Sequence, residues 1–159
     1  MRIRIILIAA NLILVLMAAT VLWAQSYEAI FGSWKLNIAK SKYNPGPAPK
    51  SNSKKYEPWE GGFKATQDTV TATGEVRHVE VAGKFDGKDY PGKGSPEADT
   101  YAIRKIDDHT YEVVQKKDGK VTITARNVVA ADGKTRTVTQ TGKNAKGVAV
   151  NNTLLWEKQ

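Results

Sequence analysis

Cysteine is absent from the 159 residues of this chain. Disulfide bonds, thiolate catalysis and cysteine-ligated zinc are therefore excluded. The absence also suits an oxidising compartment, in which a free thiol is reactive. Glycine-rich phosphate loops and the G-x-S-x-G and H-E-x-x-H motifs are missing as well. Because no catalytic constellation is found, we expect a protein that is not an enzyme and needs no cofactor or metal.

Apolar residues at helical spacing are lacking after Gln25. Short runs rich in Val, Ile, Thr and Tyr recur instead, separated by glycine-containing turns, which is typical of antiparallel strands. We predict an all-β, up-and-down meander that closes into a barrel, with one short helical turn around residues 27–31. Its nine strands are predicted near 33–38, 53–59, 62–70, 75–85, 99–106, 110–116, 120–130, 134–142 and 148–158.

Five turns are predicted from local sequence. They lie at 71–74, 86–87, 118–119, 132–133 and 144–147. Three of them are Asp-Gly pairs, which favour tight hairpins because the turn needs a positive φ that glycine adopts without steric cost. The proline-containing segments 44–49 and 90–96 are predicted as loops, since proline removes a hydrogen-bond donor.

The first 24 residues have the pattern of an export signal. Arg2 and Arg4 precede an apolar stretch from Ile5 to Ala24, which is typical of a cleaved signal peptide. The stretch is also long enough for an uncleaved membrane anchor, and that alternative stays open. In both cases residues 25–159 form a single domain outside the cytoplasm, either periplasmic or secreted.

The formal net charge is +8, and removing the two leader arginines lowers it to +6. The lysines are spread over the predicted turns and form no continuous run. Such lysines usually solubilise a surface, and binding to a polyanion is the alternative. We expect no nucleic-acid partner and membrane contact only through an uncleaved leader; the sequence leaves the oligomeric state open.

The hairpin around Asp118-Gly119 is the first test of register. A three-residue loop at 117–119 pairs Val113 with Ile123, whereas a two-residue loop pairs Val113 with Thr124 and splits the apolar residues between two faces. We therefore predict the three-residue loop, with Val121 on the same face as Ile123.

The hairpin around Asp132-Gly133 is the second test. A two-residue loop continues the apolar face of the preceding hairpin, and we predict that register. Its pairs are Val129 with Arg136, Asn127 with Val138, and Ala125 with Gln140. A slip of one residue would turn Arg136 and Gln140 to solvent.

The segment Phe31-Gly32-Ser33-Trp34-Lys35-Leu36 resembles the opening of lipocalins and intracellular fatty-acid-binding proteins. The resemblance implies a lipocalin-like barrel with Trp34 packed into one end. In the fatty-acid-binding family an Arg-x-Tyr on the last strand holds the ligand carboxylate. The last strand here, Asn152–Trp156, has neither residue, which departs from that pattern.

A second resemblance covers most of the mature chain. The segments 34–37, 40–43, 45–49 and 131–135 are similar to those of small exported bacterial β-domain proteins of unassigned function. This resemblance implies no particular activity.

We predict a module that binds a small apolar or anionic amphiphile inside the barrel. Its apolar walls would be Val113, Ile123, Val138 and Leu154. Its candidate ligand-binding residues are Tyr101, Tyr111, Arg136, Gln140, Asn152 and Trp156. Arg136 would suit an anionic headgroup through bidentate hydrogen bonds. The alternative is an envelope interaction protein with a filled core and a basic surface.

Two further groups of residues are assigned to structure and not to chemistry. Trp34, Trp59 and Trp156 are expected to pack in the core or at a barrel end. His78 and Glu80 share one face of a strand, but valines occupy the opposite face. We therefore expect His78 and Glu80 on the surface and no metal or acid–base site there.

Overall fold

A computed structural model describes residues 28–159, which fold into a closed antiparallel barrel of ten strands. A short 3₁₀ helix, Glu28–Ile30, precedes the barrel within the predicted helical turn. The strands are β1 (Gly32–Lys42), β2 (Ser51–Trp59), β3 (Gly62–Val70), β4 (Val76–Gly83), β5 (Asp86–Lys93), β6 (Thr100–Lys105), β7 (Thr110–Lys117), β8 (Lys120–Val129), β9 (Thr135–Lys143) and β10 (Ala149–Lys158). Consecutive strands pair, and β1 pairs with β10, so the up-and-down barrel prediction is confirmed.

The strand that the sequence did not reveal is β5. The sequence predicts a hairpin at Asp86-Gly87 and a loop at 90–96, but both segments contribute to this strand. Only Glu80 and Val81 of β4 pair with it, while Pro91 faces Thr100 on the β6 side. Proline lacks the backbone N–H that a strand donates to its neighbour. It is tolerated at position 91 because β5 forms few pairs with β4.

The two ends of the barrel differ. The closed end carries the β2–β3, β4–β5, β6–β7 and β8–β9 turns, together with the 3₁₀ helix. Trp34 is fully buried there, and its Nε1 donates a hydrogen bond to the Ile30 carbonyl oxygen at 2.8 Å. The other end, which we call the mouth, carries the remaining five turns. Trp34 is therefore among the side chains that fill the closed end.

The predicted β7–β8 register is wrong. The loop has two residues, Asp118 and Gly119, with φ of 50° and 73°. An irregularity opposite Gln115 and Lys116 adds one residue to β8, and Val113 faces Ala125. The extra residue keeps Ile123 buried but turns Val121 outward, contrary to our prediction.

The predicted β8–β9 register is confirmed. Val129 faces Arg136, Asn127 faces Val138, and Ala125 faces Gln140. Both Arg136 and Gln140 therefore point into the barrel.

Trp59 does not pack in the core, contrary to the prediction, because its side chain is 39% exposed. Tyr56 on the same strand points inward, so the alternation of β2 directs Trp59 outward.

The predicted signal peptide, residues 1–24, lies outside the described part of the chain. Between residues 28 and 159, no helix has the length and apolar character needed to cross a membrane.

Candidate functional site

The barrel encloses a cavity of about 610 Å³ that opens at the mouth. Mouth residues such as Pro47, Thr73 and Glu97 line its entrance. The middle of its wall is apolar and is built by inward-facing residues of most strands. These include Leu36, Phe63, Ala65, Val81, Val113, Ile123, Val138 and Leu154. The volume lies within the range of small-molecule sites, so the interior is not filled by side chains.

All six predicted ligand-binding residues line this cavity. They are Tyr101, Tyr111, Arg136, Gln140, Asn152 and Trp156. The alternation of each strand brings them to one interior surface, because residues two apart share a face. Their role in binding a ligand stays a prediction.

Arg136 lies at the closed end and is 1% exposed. Its Nη1 donates hydrogen bonds to the hydroxyl oxygens of Tyr56 at 2.9 Å and Tyr111 at 2.8 Å. Three aromatic rings surround the guanidinium: its Cζ is 5.0 Å from the ring centroid of Trp34 and 5.1 Å from those of Tyr56 and Trp156. Cation–π attraction therefore offsets part of the cost of burying this charge.

A second cation, Lys54, lines the same cavity. It lies on β2 two residues before Tyr56, hence on the same inward face. Its Nζ is 5.6 Å from the ring centroid of Tyr56 and 6.0 Å from that of Trp156. Lys54 and Arg136 thus flank the same two aromatic rings.

Within the described part of the chain, these two cations have no carboxylate partner. No ion pair within residues 28–159 includes Lys54 or Arg136. Among the described residues that line the cavity, the one carboxylate is Glu97. It is at the mouth, where it accepts a hydrogen bond from the Ala145 backbone nitrogen at 2.7 Å. The inner part of the cavity, as far as the described residues go, therefore has two basic side chains and no carboxylate.

The same positive charge governs the acidity of the tyrosines. Burial opposes ionisation of the Tyr56 hydroxyl, but the charges of Arg136 and Lys54 outweigh it and lower the pKa of Tyr56 to about 7. For Tyr111 burial dominates and raises the pKa. Burial also lowers the pKa of Lys54, an effect that Tyr56 partly offsets. The pKa of Lys54 thus responds mainly to burial, and the pKa of Tyr56 responds to the positive charges beside it.

Two buried nitrogen donors at this end have no hydrogen-bond partner within the described chain. They are Arg136 Nε and Trp156 Nε1. A buried donor left unpaired costs about 1–3 kcal/mol, so native proteins seldom leave two together. A cation pair and unpaired donors are the surroundings that an anionic, hydrogen-bond-accepting group needs.

Two of the polar residues nearer the mouth, Gln140 and Asn152, are hydrogen-bonded to each other. Asn152 Nδ2 donates to Gln140 Oε1 at 3.0 Å, and Asn152 Oδ1 accepts from the Asn44 backbone nitrogen at 2.8 Å. Asn152 therefore ties the β1–β2 loop to the barrel wall while it lines the cavity.

Sequence reasoning missed Lys54 and Tyr56. Strand β2 has no clear alternation of apolar residues, so its inward face was not assigned. One signal was present: Lys54 and Lys55 are adjacent, so one of them must face inward. Tyr56, the aromatic residue that directly follows this pair, lies two residues after Lys54. It therefore shares a face of the strand with Lys54 and indicates that this face points inward.

His78 and Glu80 lie on the surface, as predicted. His78 Nδ1 is 2.6 Å from Asp68 Oδ1, and its Nε2 is 3.4 Å from Glu80 Oε1. The side chain of His78 is 53% exposed. No group of metal-ligating side chains is found within residues 28–159.

In comparisons with known proteins, no family model and no curated protein matches this chain. The function is therefore argued from the cavity itself.

Proposed function

We propose that this protein binds a small amphiphile with an anionic group inside the barrel. The anionic group lies at the inner end of the cavity, near Lys54 and on the mouth side of Arg136. The apolar part lies between the aliphatic walls. The observation that carries the proposal is the pair of cations that have no carboxylate partner among the described residues.

A bound anion would compensate the positive charge that is buried at the inner end of the cavity. Charges taken from water are costly unless they are paired, and a pair of like charges is costlier still. Arg136 has aromatic rings and two hydroxyl groups around it, whereas Lys54 has two aromatic rings near its ammonium group. A bound anion supplies the missing charge, and the apolar wall supplies affinity for a hydrocarbon chain.

Export of the protein is part of this proposal. It is supported by the arginines and the apolar stretch of the first 24 residues and by the absence of cysteine. The likeness to small exported bacterial β-domain proteins points the same way.

The test compares ligands of equal chain length that differ in charge. Dodecanoate, dodecanol and dodecyltrimethylammonium are titrated into the protein while tryptophan fluorescence is followed, because Trp156 lines the cavity. We expect dodecanoate to bind about tenfold or more tightly than dodecanol, and the cationic amphiphile to bind most weakly.

Lys54→Met is expected to reduce dodecanoate affinity about tenfold while changing dodecanol affinity little, since it removes a charge and keeps an apolar stem. Lys55→Met is the matched control, because Lys55 is exposed and its Nζ contacts Glu57 at 2.7 Å on the outer face. Equal affinities of the wild-type protein for dodecanoate and dodecanol would contradict the proposal.

A further inference from the structure

Lysine is concentrated at the mouth of the barrel. Of the ten strand ends there, five are lysines, compared with two of ten at the closed end. The five are Lys42, Lys93, Lys117, Lys120 and Lys143, and Lys146 lies in the turn between β9 and β10. The side with the cavity entrance is thus the more basic one.

Most of these lysines lack an acidic partner. Lys117 is 3.7 Å from Asp99, but no ion pair within the described residues includes the other five. Surface lysines without partners keep their full attraction for an external anion.

Exposed valines accompany these lysines. Val121 is 59% exposed and Val148 is 47% exposed, and they belong to the neighbouring β7–β8 and β9–β10 hairpins. With Lys120, Lys143 and Lys146 they form what we call the mouth patch. Three carboxylates adjoin the patch: Asp118 lies in the same β7–β8 turn, Asp99 accepts a hydrogen bond from the Asp118 backbone nitrogen at 2.9 Å, and Glu97 accepts one from the Ala145 backbone nitrogen at 2.7 Å.

We propose that the mouth patch docks on an anionic lipid bilayer, with the cavity entrance facing the membrane. Lysines attract the anionic headgroups, and the exposed valines enter the interfacial region, where burial of apolar surface adds to the attraction. This inference rests on the proposed function in one respect: an anionic amphiphile is itself a membrane component, so docking would let it pass between bilayer and cavity.

The experiment is vesicle flotation with the protein in the form recovered from cells. Vesicles of equal parts phosphatidylcholine and phosphatidylglycerol are compared with vesicles of phosphatidylcholine alone. We expect binding to the anionic vesicles that weakens steeply with salt. The neutral vesicles measure insertion of the apolar N-terminal segment alone, and the charge of Arg2 and Arg4 is common to the wild type and every variant, so it cancels when they are compared.

Lys120→Gln, Lys143→Gln and Lys146→Gln combined are expected to reduce binding to the anionic vesicles about tenfold or more. The matched control replaces Lys84, Lys88 and Lys134 at the closed end with glutamine, which changes net charge equally. We expect the control to bind like the wild type. Equal binding of the two triple variants would overturn the proposal.

Two further measurements separate this inference from the proposed function. The mouth-patch variant should keep its dodecanoate affinity in solution within about twofold, because none of its three lysines lines the cavity. Lys54→Met should lose dodecanoate affinity and still bind anionic vesicles. Retention of the wild type on heparin without any vesicle binding would overturn membrane docking and assign the patch to a soluble polyanion.

Discussion

At the scale of single residues, the inner end of the cavity is organised around Arg136. Its guanidinium has no carboxylate partner within the described chain, so two tyrosine hydroxyls and three aromatic rings share its stabilisation. Removing Arg136 would leave those hydroxyls without their hydrogen-bond donor. The guanidinium itself stays protonated at any ordinary pH. The positive charge of Arg136 favours ionisation of Tyr56, the hydrogen-bonded partner that ionises most readily.

The pKa of Tyr56 predicts a pH-dependent stability. Folding lowers the pKa of Tyr56 from 10.0 to about 7, because Arg136 and Lys54 favour the phenolate over the effect of burial. Between about pH 7 and pH 10 the unfolded chain holds a proton that the folded protein has released. The free energy of unfolding therefore rises with pH across that window, by at most about 4 kcal/mol, and this contribution is absent below about pH 7.

Tyr56→Phe should flatten this rise, as measured by urea unfolding at several pH values. Lys54 also makes the free energy of unfolding rise with pH, because its lowered pKa means that the folded protein holds fewer protons than the unfolded chain. The near-ultraviolet absorbance of tyrosinate separates the two residues: one tyrosine should ionise near pH 7 in the wild type and in the control Tyr90→Phe, and none in Tyr56→Phe. A tyrosinate signal near pH 7 that survives Tyr56→Phe would refute the assignment.

At the scale of strands, the irregularity in β8 decides which residues face the cavity. Thr122 is the extra residue, and its Oγ1 donates to the Glu97 carbonyl oxygen at 3.0 Å and to the Gln115 carbonyl oxygen at 3.2 Å. On β9, Gly142 lies opposite Ile123 with a φ of 139°. A Cβ at Gly142 would overlap the Thr122 carbonyl oxygen, so only glycine lets the two strands approach here.

Gly142→Ala is expected to lower the free energy of unfolding by about 2–4 kcal/mol, from an unfavourable φ and a backbone clash together. Gly133→Ala is the control, because Gly133 also has a positive φ but open space around its would-be Cβ. The control should cost about 1–2 kcal/mol. Chemical denaturation measures both, and equal losses would show that the close approach of β8 and β9 carries no strain.

Strand alternation and turn chemistry predict most of these elements. The correct β8–β9 register places Arg136 and Gln140 inward, and it was preferred over a one-residue slip because it continues the apolar face of the preceding hairpin. The prediction that Val121 shares the inward face of Ile123 is wrong. The alternation of apolar and polar residues does not show that β8 contains an added residue between them. Strand β5 was missed because Asp-Gly and Pro-Gly normally indicate turns, whereas its sparse pairing with β4 tolerates them.

At the scale of the whole molecule, the barrel and many of its inward residues follow from the sequence, but the cavity does not. Alternation tells which side chains face the interior; it does not tell whether they fill it. The site also depends on Lys54, whose inward position is set by pairing with Trp34 and Gln67 on the neighbouring strands. Such neighbours across strands are not visible in a single sequence.

The basic mouth and the cationic inner end have different consequences for a ligand. Lysines at the mouth attract an anion over roughly the screening distance of 8–10 Å, so they raise its rate of association. Lys54 and Arg136 act after entry, where water is scarce and charge interactions are stronger. An anionic amphiphile is the class of molecule that both features favour.

The most direct test of this account is native mass spectrometry of the protein recovered from its own cells, with solvent extraction of the same sample. The account predicts one bound molecule per chain, lost on denaturation, that carries an acidic group and a hydrocarbon part. Lys54→Met should recover less of that molecule, and Lys55→Met as much as the wild type. An empty cavity in the wild type, or a bound molecule that is neutral or cationic, would contradict the central claim.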